Sequence, residues 1–132
     1  MQATRCWVVL GVLVSAVSIS ACGKGGGGGT PAPSPVPSPG GATVTLTSSG
    51  VSPREVTVSV GSRVTFQNND NAPHDMDSDP HPDHTDCPEI NVGFIAAGQN
   101  RQTQNLNTAR VCTYHDHNQP TNVSLHGTIR IQ

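Results

Sequence analysis

The sequence predicts a small all-β domain, a Greek-key β-sandwich, over residues 43–132. Three observations predict it. Apolar and polar residues alternate with period two in short windows rich in β-branched residues. No window carries a convincing helical period. Six or seven such segments fall within about 90 residues, the density of a sandwich or barrel.

The first 42 of the 132 residues stand apart from that domain. Arg5 supplies a positive start, and Trp7 to Ile19 form an apolar run of about 13 residues, too short to cross a bilayer comfortably. Ile19-Ser20-Ala21-Cys22 follows, small residues and then a cysteine. Residues 1–21 therefore read as an export signal. The segment resembles the lipobox of bacterial lipoproteins. That resemblance implies that Cys22 becomes the lipidated first residue of the mature chain. Gly23, in place of Asp, favours the outer membrane by the same analogy. Residues 22–42 read as a tether. Gly25–Gly29 is a flexible run, and Pro31, Pro33, Pro35, Pro37 and Pro39 alternate with small residues in an extended stretch.

The domain proper begins near Thr43. Thr43–Thr47, Glu55–Val60 and Arg63–Gln67 alternate cleanly, with a turn at Gly61-Ser62. Later strands are expected at Asn91–Ile95, Arg101–Leu106, Ala109–Tyr114 and Val123–Ile131. Asn68–Pro88 contains Pro73, Pro80 and Pro82 and is expected to be one long loop, of a length usually reserved for function.

Composition narrows the function. Hydrophobic content is 33% and aromatic content 3%, and beyond the signal only Phe66, Phe94 and Tyr114 are aromatic. A core this thin benefits from a staple, a metal or a disulfide. About 90 residues exclude a multidomain enzyme and a large cleft. Beyond the signal six Lys and Arg face nine Asp and Glu, so no basic patch points to nucleic acid. A phosphate-binding Gly loop, His-Glu-x-x-His and Gly-x-Ser-x-Gly are all missing, so no enzyme is expected. Seven of the nine acids fall between Asp70 and Glu89, and all six histidines lie from His74 onward. Acids and imidazoles gathered together point to a metal.

Three segments carry the chemistry: Val64–His74, Cys112-Thr113-Tyr114-His115-Asp116-His117, and Leu125–Ile131. One thiolate and two imidazoles can hold copper as a trigonal set with a weak axial ligand. Val58-x-Val60-Gly61-x-x-Val64-x-Phe66-x-Asn68, Pro73-His74, Cys112-x-x-His115 and Gly127-x-Ile129, in that order, resemble the cupredoxins, the blue-copper family of plastocyanin, pseudoazurin and amicyanin. The resemblance covers residues 43–132. It implies a copper cofactor at one end of the sandwich, held by His74, Cys112 and His115, and single-electron transfer to a redox partner protein.

Three departures from the family pattern keep other assignments open. No Met follows His115, so Gln119, an empty position near Leu125, or His117 stands for the axial ligand. An exported chain with two mature cysteines forms a disulfide by default, and Cys87–Cys112 would remove the thiolate. The segment from His74 to Cys87 holds Met76, His81, His84 and four aspartates besides Asp86, material for a second metal site or only a solvated acidic loop. His126 reads as structural. The sequence thus predicts a monomeric, membrane-tethered copper protein facing the periplasm, held to the membrane by its lipid alone. The rival role is copper capture, delivery or sensing with a copper donor or acceptor, through a His/Asp/Met site beside a Cys87–Cys112 bridge.

Overall fold

The computed structural model describes residues 40–132. The export signal, Cys22 and nearly all of the tether lie outside the described residues. Nine strands form two sheets: β1 (Ala42–Thr47), β2 (Gly50–Ser52), β3 (Glu55–Val58), β4 (Val64–Asn68), β5 (His74–Ser78), β6 (Gly93–Ile95), β7 (Asn100–Gln102), β8 (Arg110–Asp116) and β9 (Gly127–Ile131). One sheet has the order β2-β1-β4-β7 and the other β3-β9-β8-β5-β6. Each contains one parallel pair, β1 with β4 and β3 with β9, among antiparallel neighbours. This is the predicted β-sandwich.

Alternation puts one face of each strand into the space between the sheets. Val44 and Leu46 of β1 and Val64 and Phe66 of β4 line it from one side. Val56, Val58, Met76, Ile95, Tyr114, Ile129 and Ile131 line it from the other. Phe66 and Tyr114 meet edge to face with centroids 5.1 Å apart, the arrangement their ring quadrupoles favour. Gly127 lies opposite Tyr114 in the β8–β9 register, and a Cβ there would sit 2.2 Å from the tyrosine oxygen. Only glycine permits that approach.

Two expectations are corrected. The stretch Asn68–Pro88 is not one loop, because His74–Ser78 forms β5 and pairs with β6 and β8. Its prolines flank the strand, and His74, Met76 and Ser78 face inward while Asp75 and Asp77 face out. The predicted closing strand from Val123 is shorter, since Val123–Leu125 is a 3-10 turn capped by the Asn122 side chain. Asn68 fixes the entry to β5. It is fully buried, donates to the carbonyls of Ala72 and Ile95 at 2.9 and 3.0 Å, and accepts from the Asp70 amide.

Candidate metal centre

The two faces of the five-stranded sheet divide the predicted ligands. In the β5–β8 register Met76 pairs with Asp116 and Ser78 with Tyr114, all pointing into the core, while Asp77 pairs with His115 on the outer face. β8 runs unbroken from Arg110 to Asp116. Within a continuous strand a spacing of three reverses the side. Cys112 therefore faces inward and His115 outward. His74 shares the inward face of β5. The structure does not bring His74, Cys112 and His115 together.

Cys112 is bonded to Cys87, with Cα atoms 5.9 Å apart and both residues 1% exposed. A sulfur in a disulfide carries no thiolate charge. The thiolate role expected of Cys112 from the family resemblance is thus corrected to that of a staple. The bond ties the end of the segment after β5 to the middle of β8.

His74 lies on the core side. Its Nδ1 is 2.7 Å from Asp116 Oδ2, and its ring is 2% exposed. Nε2 stands 3.4 Å from Asp70 Oδ2 without hydrogen-bond alignment. Asp116 Oδ1 also accepts from the amides of Asp75 and Asn118. Met76 is fully buried in the core, and Gln119 is exposed in the turn after β8, accepting from Asn122. Met76 thus lies on the core face of β5.

On the outer face four imidazoles gather. His115 rises from β8, and His117, just beyond the strand, donates its amide to Asp75 at 2.7 Å. His81 and His84 come from the turn after β5. Ring centroids are 4.9 Å apart for His81–His117 and for His84–His117, 5.7 Å for His81–His84, and 5.4 and 5.2 Å from His115 to His81 and His84. One nitrogen from each of His81, His84 and His117 falls within 4.8 Å of the others. Nitrogens on one tetrahedral ion stand about 3.3 Å apart.

Carboxylates stand behind the imidazoles, an arrangement that suits a metal. Asp79 Oδ1 holds His115 Nδ1 at 2.7 Å, leaving Nε2 buried with no hydrogen-bond partner among the described residues. A carboxylate behind an imidazole fixes its tautomer and turns the other nitrogen into a stronger donor. Asp77 Oδ2 lies 3.6 Å from His84 Nδ1, and His84 Nε2 lies 3.2 Å from His117 Nδ1. Burial works against the charge on Asp79, but hydrogen bonds from Thr113 and His115 outweigh it and hold the carboxyl below the usual range. Asp75 moves the other way, raised by burial and by Asp77 beside it.

His84 is the one non-glycine residue with positive φ among the described residues, at 49°. Such a conformation persists where its surroundings enforce it. The His84 amide donates to Pro80 at 2.7 Å, and its carbonyl accepts from Asn91 Nδ2 at 2.9 Å. Asn91 Oδ1 takes the Ser78 amide at 2.7 Å, so one side chain joins the end of β5 to the histidine turn. His126 completes the surround, its ring 5.8 Å from His115 and its Nε2 3.0 Å from the Pro120 carbonyl. Sequence reasoning did not find the roles of Asp77, Asp79 and Asn91. The alternation His74-Asp75-Met76-Asp77-Ser78 was the available signal, masked by the flanking prolines.

No protein-family model and no curated protein sequence matches the chain. Solved structures do. A purple cupredoxin from Nitrosopumilus maritimus aligns with TM-score 0.57 and 18% identity, over 69% of this chain and 99% of that one. Plastocyanin from Dryopteris crassirhizoma gives 0.54 and 16%, over 68% and 99%. Amicyanin from Paracoccus versutus gives 0.55 and 18%, over 74% and 85%. The domain has the cupredoxin fold.

Proposed function

We propose that this protein binds copper on the outer-face histidines and captures or delivers it in the cell envelope. The observation that carries the reading is His115, whose Nε2 is buried without a partner among the described residues while Asp79 fixes its other nitrogen. It sits beside three imidazoles already converging. Imidazole suits copper, zinc and other borderline ions. Copper is favoured among them by the fold, shared with an amicyanin variant whose structure contains Cu(I). His81, His84, His115 and His117 are the proposed ligands, and Asp77 and Asp79 orient them. The exposed edge at His81 leaves a route by which an ion enters and leaves.

Electron transfer is the second reading, supported by the fold shared with plastocyanin and amicyanin. There the same centre cycles its metal for a redox partner. In either case the protein is a binding protein and not a catalyst. A lipid anchor at Cys22, placing the domain in the periplasm, belongs to the proposal. Labelled palmitate incorporation lost in Cys22→Ala supports it, and unchanged labelling refutes it.

Titration of the purified protein with Cu(II) tests the main reading. The expected result is one ion per chain, a faint ligand-field absorption and nitrogen couplings in the electron paramagnetic resonance spectrum. An intense thiolate-to-copper band would place Cys112 on the metal and overturn the assignment. Failure to bind Cu(II) stoichiometrically would overturn the copper reading itself.

A further inference from the structure

We infer that the histidine centre holds copper as Cu(II) and gives it up on one-electron reduction, an inference that rests on the copper reading of the same site. Three features of the centre support it. The donors are all nitrogen. Among the described residues Cys87 and Cys112 are bonded to each other, and Met76 is wholly buried on the opposite face of the sheet. Thiolate and thioether donors select Cu(I), whereas nitrogen and oxygen donors suit Cu(II).

Charge acts in the same direction. Asp79 stands 2.7 Å behind His115, and Asp77 3.6 Å from His84. Asp75 lies on the same strand face as Asp77. These carboxylates attract a doubly charged ion more than a singly charged one, and among the described residues no Lys or Arg forms an ion pair with Asp77 or Asp79. The hydrogen bond from Asp79 also strengthens the nitrogen that His115 presents.

The frame is stiff as well. His84 is held in the left-handed region by Pro80 and Asn91, and the turn that carries it is anchored through Cys87 to β8. A stiff set of several imidazoles suits the coordination number of Cu(II) and gives no soft pair of donors on which Cu(I) would remain. The reducing class is an enediol. Its monoanion gives one electron to Cu(II) and one proton to the solvent, becoming the radical anion, and the copper leaves as Cu(I).

The test loads the purified protein with one equivalent of Cu(II) under anaerobic conditions and adds a chromogenic Cu(I)-selective chelator. The chelator concentration is set so that a site binding both oxidation states equally would keep half its copper. Without reductant, copper is expected to stay on the protein. With ascorbate, nearly all of it is expected on the chelator. Copper retained after reduction overturns the inference while leaving the copper reading intact. No Cu(II) uptake at the loading step overturns that reading instead. Asp79→Asn separates charge from structure. It is expected to weaken Cu(II) binding about 10- to 100-fold while changing Cu(I) binding much less. An equal loss for both ions would overturn the electrostatic part.

Discussion

Asp79 and His115 form an oriented pair across the two inner strands of the five-stranded sheet: 2.7 Å separates Oδ1 from Nδ1, and the histidine is 1% exposed. The aspartate follows β5 and the histidine lies on β8, so strand register sets their meeting. Replacing Asp79 by Asn keeps the shape but removes the charge. Cu(II) affinity is expected to fall about 10- to 100-fold, as it does when a carboxylate behind a metal-bound histidine is lost. Competition against a calibrated Cu(II) chelator measures it. Unchanged affinity would show that His115 does not bind the ion.

The Cys87–Cys112 bond closes a loop with a sequence separation of 25. Chain entropy alone assigns such a cross-link about 3.5 kcal/mol. The double variant Cys87→Ala, Cys112→Ala is therefore expected to lower unfolding free energy by about 2–4 kcal/mol in urea titrations. Its faint Cu(II) absorption should keep the same shape, because neither sulfur is a ligand. Cu(II) affinity should fall, because the histidine turn loses its anchor. A change in the visible band would return sulfur to the metal.

Most of the sandwich was legible because its strands are amphipathic in the simplest way. Val44 and Leu46, or Val64 and Phe66, mark their faces without help. β5 was hidden because its outward residues are Asp75 and Asp77 and its inward ones include His74 and Ser78, a strand written in polar letters. The metal residues were each visible, but their grouping was not. Cys112-x-x-His115 reads as a ligand pair when a strand ends at the cysteine. Here β8 continues to Asp116, which turns the two residues to opposite faces. No local pattern announces where a strand stops when Thr113, Tyr114 and His115 all tolerate extended backbone.

Tyr114 carries a pH prediction. Its hydroxyl is buried with no hydrogen-bond partner among the described residues, and burial pushes its ionisation upward despite the opposing pull of Arg54. The folded state therefore favours the neutral phenol more than the unfolded chain does. Its contribution to stability is full below the unfolded value, about 10, and is lost as pH rises from there through the folded value. Tyr114→Phe should remove this alkaline decline. At neutral pH it should change stability by no more than about 1 kcal/mol, since no hydrogen bond is lost. Thermal unfolding between neutral pH and pH 11 measures both. A Phe variant that declines in parallel with the parent would assign the alkaline loss to other groups.

The opposite faces of β5 and β8 give the sharpest test of where the metal sits. His74 occupies the position that the family resemblance implies for copper, yet it is bound to Asp116 inside the core. His84 lies on the outer side, against His117 and Asp77. His74→Gln leaves the Asp116 carboxylate with only its two amide donors and should cost about 1–3 kcal/mol of stability. It should leave Cu(II) stoichiometry and the nitrogen couplings unchanged. His84→Gln should do the reverse. Its side chain is 13% exposed and lies outside the hydrophobic core, so the unfolding midpoint should move little, while Cu(II) binding weakens by at least about tenfold. Reading both variants in both assays separates structure from ligation. If His74→Gln strips the copper and His84→Gln keeps it, the metal lies on the core side and the outer histidines are not its ligands.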